Sequence, residues 1–324
     1  MNTLPDKETI QDVRRLIAPH IHRTPILTNA TINRMLGAEL VFKCENFQKG
    51  GAFKFRGATH AVMTLSREDA ARGVATHSSG NHAQALALAA GLRGIKAYIV
   101  MPESAPRIKV EAVRAYGGEI TFCLPTLADR EATLEKVMAQ TGAVEIHPYN
   151  DYRIIAGQAS AAAEVFEATG SPDIIMAPVG GGGLLSGTIL STRYFAEKTH
   201  VFGAEPFMAN DAWKSFQQKQ FIPSDNPQTM ADGLRTSLGS LTFPIIIDGV
   251  EDILTCTEEA ITEAMFLIWE RMKIIVEPSA AVPLAVMLEH RERFAGKKIA
   301  LILSGGNVDL YRLPWLENRS FNNR

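Results

Sequence analysis

The sequence predicts an α/β protein with two lobes, each built on a parallel, twisted sheet flanked by helices. From about residue 39 onward, short β-rich runs alternate with helical stretches, which is typical of strand–helix–strand units. The nine strand candidates are more than a single twisted sheet holds comfortably, so we expect two sheets. Residues 67–151 are predicted to form a small domain, and residues 1–66 with 152–324 a large one.

The strand candidates are short apolar or β-branched runs bounded by polar turns. In chain order they span 40–44, 74–78, 97–101, 120–124, 144–147, 174–179, 201–204, 253–257 and 299–303. The clearest helical candidates lie at 106–116, 127–140, 157–168, 258–272 and 280–289. Two of these helices have recognisable starts, because Pro106 suits a first helical turn and Thr257 suits an N-cap.

Bulk composition excludes several classes of function. Hydrophobic residues make up 46% of the 324 residues, charged residues 21%, and the formal net charge is −2. Nothing in this balance indicates binding to nucleic acid or to an anionic membrane. The three cysteines are far apart and have no metal-ligand spacing, and the N-terminus lacks an apolar signal core. We therefore expect a cytoplasmic metabolic enzyme.

The most informative motif is a run of four glycines, Gly180, Gly181, Gly182 and Gly183, between a predicted strand and a predicted helix. Glycine lets successive backbone N–H groups turn toward one anion, and the start of a helix adds a favourable dipole. The run therefore predicts a phosphate-binding loop. Two further polar turns, at 78–82 and 304–307, also follow predicted strands, so a polar cleft is expected at the strand ends.

A dinucleotide-binding fold is an alternative interpretation of the same glycines. The fingerprint Gly-x-Gly-x-x-Gly requires a third glycine where the chain has Leu185 or Ser186, although Glu205 stands where a ribose-binding acid is expected. Half of the pattern is present and half fails, so a nicotinamide oxidoreductase stays a less favoured alternative. The chain has no Gly-x-x-x-x-Gly-Lys-Ser/Thr motif, which disfavours a P-loop nucleotidase.

Lys54 lies between Phe53 and Phe55, after a flexible glycine pair and at the start of a helix-like run. An isolated lysine is usually a solvated surface charge. An apolar setting, however, disfavours the ammonium form and lowers the lysine pKa, which makes the amine a usable nucleophile. A nucleophilic lysine together with a phosphate-binding loop is what a Schiff-base-forming aldehyde cofactor requires.

Four segments, 44–58, 77–82, 178–183 and 304–309, resemble the fold-type II pyridoxal-phosphate enzymes, which share the tryptophan synthase β-like fold. Within that group the chain is most similar to serine racemases and serine/threonine dehydratases, over nearly its whole length. The run 52–55 also resembles relatives that deaminate threo-3-hydroxyaspartate. The resemblance implies pyridoxal 5'-phosphate as cofactor, a small amino acid as substrate and a homodimer.

The resemblance also implies a role for each residue around the cofactor. Lys54 would hold it as a Schiff base and then remove the substrate Cα proton, while Phe53 would pack on its ring. Gly180–Gly183 would bind the phosphate, Asn81 the ring hydroxyl and Ser304 the pyridine nitrogen. A neutral hydroxyl at that nitrogen makes the ring a weaker electron sink, which favours prompt loss of a β-hydroxyl or rapid reprotonation.

Ser79 matches the serine that acts as the second acid/base in serine racemases, on the cofactor face opposite the lysine. The alternative is that Ser79 only caps the following helix. Ser78, Asn81 and His82 would bind the substrate carboxylate, with a core histidine as the alternative for His82. Arg130 would lie over the cleft and could accept a second substrate carboxylate, unless it is a helix-surface arginine.

The segment 205–211 resembles the divalent-metal loop of the family. The carboxylates of Glu205 and Asp211 with the carbonyl of Ala209 would form an all-oxygen site for Mg²⁺, or for Ca²⁺ or Mn²⁺. The chain departs from the pattern of the animal racemases at Gly50, at Ala52 and at the pair 29–30. These differences make ATP a less favoured effector.

The expected function is racemisation of serine, or α,β-elimination from L-serine, L-threonine or threo-3-hydroxyaspartate to a keto acid and ammonia. One alternative is a strict dehydratase or ammonia-lyase for threonine or 3-hydroxyaspartate that has no racemase activity. Another, from a different class, is a non-catalytic protein that binds pyridoxal phosphate on the same fold.

Overall fold

The structure is a computed structural model that describes residues 3–105 and 107–317. Pro106, the predicted first residue of a helix, lies outside the described residues. The strands are β1 Ile26–Leu27, β2 Glu39–Cys44, β3 Val74–His77, β4 Ala97–Pro102, β5 Glu119–Cys123, β6 Val144–Glu145, β7 Ile174–Pro178, β8 His200–Pro206, β9 Asp252–Cys256 and β10 Lys298–Leu303.

The strands form two sheets, as the sequence predicts. A six-stranded sheet has the order β1-β2-β10-β7-β8-β9, and a four-stranded sheet has the order β5-β4-β3-β6. All pairings are parallel except that of β1 with β2. The nine predicted strands are β2 to β10, and β1 escaped prediction because two residues carry no periodic signal. The limits of the small and the large domain stay a prediction.

One strand is shorter than predicted, and its turn explains why. The prediction for β6 extends to His147, but the strand ends at Glu145. The Nδ1 atom of His147 accepts hydrogen bonds from the backbone N–H groups of Tyr149 and Asn150, at 3.3 and 2.9 Å. These bonds turn the chain away from the sheet and into the cleft between the two sheets.

The α-helices are α1 Lys7–Ile17, α2 Ala30–Leu36, α3 Lys54–Met63, α4 Arg67–Arg72, α5 Asn81–Arg93, α6 Arg107–Ala115, α7 Leu127–Thr141, α8 Tyr152–Thr169, α9 Gly183–Phe195, α10 Asp211–Gln218, α11 Thr242–Gly249, α12 Glu258–Leu267, α13 Pro278–Glu289, α14 Arg291–Phe294 and α15 Pro314–Glu317. Thr257 caps α12 as predicted, by accepting the N–H of Ala260. That helix changes to π-helical winding at Ile268–Met272. Within the described residues, no helix combines the length and the apolar character needed to cross a membrane.

The large sheet has a separate apolar core on each face, because side chains alternate along its strands. Phe42 of β2 packs on one side with α12 and α13, while its neighbour Val41 packs on the other side with α8 and α9. Burial on both faces is typical of parallel sheets and makes the large sheet a rigid support for the turns at its edge.

Helix α8 runs through the middle of the molecule, and residues 154–166 are all buried. It crosses α3 at two glycines: a Cβ on Gly157 would lie 2.5 Å from the Cα of Gly57. Such an approach is open only to glycine, so the two backbones are in direct contact. Because α3 begins at Lys54, this crossing fixes the position of that lysine relative to α8.

Candidate active site

The polar turns predicted from the sequence meet at the carboxyl ends of three parallel strands. Ser78 and Ser79 follow β3, the glycine run follows β7, and Ser304 follows β10. Ser304 is buried, and its carbonyl accepts the backbone N–H of Phe53 at 3.0 Å. This bond joins the segment before Lys54 to the end of β10, so the lysine lies beside the strand ends where ligands bind in such sheets.

The amine of Lys54 is buried in the cleft and is held in one place. Its Nζ atom donates a hydrogen bond to the carbonyl of Pro148 at 2.8 Å and lies 5.1 Å from the centre of the Phe53 ring. Burial lowers the pKa of Lys54 to about 8, although the nearby Glu277 carboxylate opposes the change. A substantial fraction of the amine is therefore neutral near pH 8, as nucleophilic attack requires.

The backbone N–H groups of the glycine run and of the two residues after it have no hydrogen-bond acceptor among the described residues. Residues 180–185 are buried, and none of their amides donates a hydrogen bond to another described residue. Buried amides are rarely left without an acceptor, so this set indicates a binding site for an anion at the N-terminus of α9.

No side chain fits anywhere in the run. A Cβ would lie 2.9 Å from Leu234 at Gly180, 2.2 Å from the Tyr149 ring at Gly181, 2.6 Å from Ile246 at Gly182 and 3.0 Å from Tyr149 at Gly183. Gly182 also has a φ of +87°, in the left-handed region that favours glycine.

A hydrogen-bonded network of the buried Glu277 with the half-buried Asn81 and Asn307 lies near Lys54. The Nδ2 atom of Asn81 donates to both carboxylate oxygens of Glu277, at 2.8 and 3.1 Å, and its Oδ1 accepts from Asn307 at 3.0 Å. Burial raises the pKa of Glu277 to about 7, and the neighbouring Asp232 carboxylate adds to the increase. Asn81 is therefore fixed at the start of α5 by two protein partners, and its predicted bond to the cofactor hydroxyl stays a prediction.

Ser79 is half-buried, and its side chain makes no hydrogen bond to another described residue. The N-cap of α5 is Gly80 and no side chain caps this helix, so Ser79 does not have the alternative role of a cap. Ser78 accepts the N–H of Gly80 at 3.3 Å. The hydroxyl of Ser79 thus remains available in the cleft.

His82 is placed differently from its prediction. Its ring is 2% exposed, and Nε2 bonds to the carbonyl of Ile146 at 2.9 Å. Burial, with a smaller contribution from the positive charge of Lys54, lowers the pKa of His82 to about 3. A neutral ring whose donor is already engaged cannot bind a carboxylate, so the structure favours the core-histidine alternative for this side chain. Only its backbone N–H, in the first turn of α5, remains suited to a carboxylate.

Arg130 lies on α7 and is half-buried, with one long hydrogen bond of 3.4 Å from Nε to the carbonyl of Thr126. Burial lowers the pKa of His77, and the positive charge of Arg130 contributes to that decrease. His77 directly precedes Ser78, so this charge effect indicates that the Arg130 guanidinium lies in the neighbourhood of the end of β3. Whether it contacts substrate stays a prediction.

The predicted metal ligands Glu205, Ala209 and Asp211 are all buried near the end of β8. Glu205 accepts the N–H groups of Ala212 and Trp213, at 3.0 and 2.8 Å. Neither oxygen of Asp211 makes a hydrogen bond within the described residues. Burial raises the pKa of Glu205 well above its usual range, and the Asp211 carboxylate adds to the increase.

Among the described residues, no group of three or more histidine, cysteine or acidic side chains has the arrangement of a metal site. The Glu205–Asp211 pair nevertheless fits a hard cation, because one buried carboxylate is unpaired and the ligand set is entirely oxygen.

Residues 17–305 match the model of the pyridoxal-phosphate dependent enzyme family. The chain belongs to this family. The unpaired backbone amides of residues 180–185 and the amine of Lys54 are the parts of the site that such a cofactor needs. The predicted fold class, pyridoxal phosphate as the cofactor and the enzymatic character are confirmed, and the nicotinamide alternative is wrong.

Three relatives show how close the similarity is. A β-hydroxyaspartate dehydratase of Paracoccus denitrificans is 50% identical over 96% of this chain and 99% of its own length. A serine racemase of Dictyostelium discoideum is 46% identical over 95% of this chain and 97% of its own length. The crystal structure of a T.th. threonine deaminase has a TM-score of 0.90 at 42% identity. The match covers 94% of this chain and 99% of the deaminase chain. The predicted resemblance to serine racemases and dehydratases is confirmed.

Sequence reasoning assigned no role to Tyr149 or Glu277, which the structure brings into the cleft. Tyr149 packs against the glycine run, and its ring lies 4.6 Å from that of His147. Glu277 carried a signal that could have been used, since it is the single charged residue in the apolar segment 274–288. A charge at such a position is expected to have a buried partner.

Proposed function

We propose that this protein racemises serine or eliminates water from small β-hydroxy amino acids such as serine, threonine and threo-3-hydroxyaspartate. The observation that carries the proposal is the position of the Lys54 amine, which the carbonyl of Pro148 holds 6.0 Å from the Tyr149 ring. That ring packs against the glycine run, whose amides have no acceptor among the described residues. The names of the relatives support the substrate class, since they are a β-hydroxyaspartate dehydratase, a serine racemase and a threonine deaminase.

Pyridoxal phosphate, when bound, supplies an aldehyde that links to amines and a ring that stabilises negative charge at the substrate Cα. The protein's own residues then determine which bond breaks. Lys54 is the nucleophile that holds the cofactor and the base that takes the α-proton at Nζ. The carbonyl of Pro148 orients that nitrogen, and the helix starts at Asn81 and Gly183 bind the carboxylate and the phosphate.

Ser79 decides between racemisation and elimination alone. A hydroxyl on the face opposite Lys54 can return a proton that the lysine removed, whereas a single base gives only elimination or retention. The lack of a protein partner for this hydroxyl among the described residues supports the role. A strict dehydratase without racemase activity is the second candidate, and the high identity to a dehydratase favours it.

Ser79→Ala is expected to lower racemisation of serine by about 10²-fold or more, because a proton donor is lost from one face. Elimination from L-serine, which needs only Lys54, should change by no more than severalfold. Chiral chromatography of serine and an ammonia assay measure the two rates on one preparation. Elimination from D-serine serves as the internal control, since it should fall together with racemisation. Normal racemisation by Ser79→Ala would contradict the two-face assignment.

The proposal as a whole is tested by ammonia release and by chiral analysis of products from serine, threonine and both diastereomers of 3-hydroxyaspartate. An enzyme of the proposed kind converts at least one of these substrates. A protein that binds pyridoxal phosphate without catalysis releases no ammonia and leaves every chiral centre unchanged, which would overturn the proposal.

We also propose a divalent-cation site, Mg²⁺ or a related ion, at Glu205, Asp211 and the carbonyl of Ala209. Its physical basis is the buried like-charge pair of carboxylates, which a cation would neutralise. The homodimer and the cytoplasmic location stay predictions, and ATP stays a less favoured effector.

Addition of Mg²⁺ to chelator-treated protein is expected to raise its melting temperature. Binding to the folded state alone contributes about 2.7 kcal/mol when free metal is at a hundred times the Kd. Asp211→Asn should lose this response, while Asp225→Asn, a change at an exposed acid, should retain it. Equal responses of the two variants in a thermal scan would argue against the site.

A further inference from the structure

Thr242, the first residue of α11, lies behind the glycine run and is fully buried. Its Oγ1 atom donates a hydrogen bond to the carbonyl of Gly181 at 2.8 Å and accepts the N–H of Gly239 at 2.8 Å. The carbonyl of Gly239 is a more distant acceptor for the same proton, at 3.3 Å. The hydroxyl therefore has a fixed orientation, with its proton directed at the glycine run.

The carbonyl of Gly181 and the N–H of Gly182 belong to one peptide group. A trans peptide is planar, and its C=O and N–H point in opposite directions. A bond that fixes the carbonyl toward α11 thus directs the N–H of Gly182 away from α11. That N–H is one of the unpaired donors of residues 180–185.

Side-chain packing adds little to the support that the Thr242 hydrogen bond gives this peptide. Gly182 has a φ of +87°, and the residues that press on it are Thr242 and Ile246, one turn apart on α11. Glycine peptides rotate easily because they lack a Cβ. The hydroxyl of Thr242 is the polar contact that prevents such a rotation.

The segment that carries Thr242 is itself anchored to the lysine side of the cleft. Asn150 accepts the N–H of Leu241 at 2.8 Å, and its Nδ2 donates to Ser240 at 3.1 Å. Asn150 lies two residues after Pro148, whose carbonyl accepts the bond from Lys54. A continuous set of contacts thus joins Pro148, which accepts the bond from Lys54, to Thr242, which bonds to the glycine run.

We infer that Thr242 is a positioning residue of the phosphate site: its hydroxyl holds the Gly181–Gly182 peptide so that the N–H of Gly182 points at the phosphate. The inference rests on the proposed cofactor site and concerns only the phosphate end of the ligand. Thr242 does not touch the reacting atoms, so it acts on the affinity for the phosphate group and not on the aldehyde end.

The experiment compares the apoprotein's affinity for pyridoxal 5'-phosphate with its affinity for pyridoxal, which lacks the phosphate. Thr242→Val keeps the shape of the side chain and removes its hydroxyl. Affinity for pyridoxal 5'-phosphate should fall by about tenfold, since a charge-assisted hydrogen bond is misdirected, and affinity for pyridoxal should stay the same. Thr242→Ser, which restores the hydroxyl, should recover most of the preference for the phosphorylated form.

Thr192→Val is the matched control, because Thr192 is buried and donates to the carbonyl of Thr188 at 2.8 Å, away from the glycine run. It should leave the ratio of the two affinities unchanged. Wild-type protein that prefers the phosphorylated form, together with an unchanged ratio in Thr242→Val, would overturn the role of Thr242 alone. Wild-type protein that binds neither form would overturn the cofactor site and this inference with it.

Discussion

Lys54→Ala is expected to abolish both racemisation and elimination, with a loss on the order of a thousandfold or more. The variant lacks the buried amine whose pKa is about 8 and which the carbonyl of Pro148 orients. The visible absorbance of the lysine-bound cofactor should disappear as well. Absorbance spectra and rates with L-serine measure the two effects on one sample.

Lys49→Ala is the control for this change. Lys49 lies five residues earlier in the same loop, and its amine forms no hydrogen bond or ion pair within the described residues. It should keep the absorbance and both activities. A Lys54→Ala protein that still shows the absorbance and still turns over substrate would disprove the assignment of the lysine.

Arg56→Met is expected to destabilise the fold by about 3–5 kcal/mol, because it leaves buried carboxylates without their partner. Arg56 is fully buried and forms hydrogen-bonded ion pairs with Glu45 at 2.7 Å and Glu164 at 2.7 Å. Lys43 forms a further pair with Glu164 at 2.5 Å. The group holds two cations and two carboxylates, so it is neutral as a whole. Urea unfolding followed by circular dichroism measures the loss.

The matched variant combines Arg56→Met with Glu45→Gln, which removes one charge of each sign. If the cost comes from an unbalanced buried charge, the double variant should recover a large part of the lost stability. A single Arg56→Met variant within about 1 kcal/mol of wild type would show that water or a structural shift compensates the carboxylates.

Local sequence was sufficient to predict the parts of the site that lie on one turn each. The glycine run, the serine pair after β3 and Ser304 are all encoded by residues next to a strand end. The strand pattern places each at the carboxyl end of its strand, the serine pair in the small sheet and the other two in the large sheet. Lys54 could be singled out because its immediate neighbours are apolar. Strands β2 to β10 followed from the same short-range patterns, whereas the two-residue β1 did not.

The polar pairs could not be predicted, because their partners are far apart in the chain. Asn81 bonds to Glu277, 196 residues away, and Arg56 bonds to Glu164, 108 residues away. No periodic pattern relates such positions. The sequence could not decide between the two interpretations of His82 for the same reason, since the burial of its ring depends on the carbonyl of Ile146 in a strand-end turn that only the fold brings near.

The crowding around residues 180–183 limits how this enzyme can evolve. A one-base change in a glycine codon that alters the amino acid introduces a β-carbon, and each of the four positions has an atom within 3.0 Å of where it would be. Single substitutions in this segment are therefore expected to be poorly tolerated. We expect shifts in substrate preference to arise elsewhere, at the predicted substrate-site residues Ser79 and Arg130, which are half-buried.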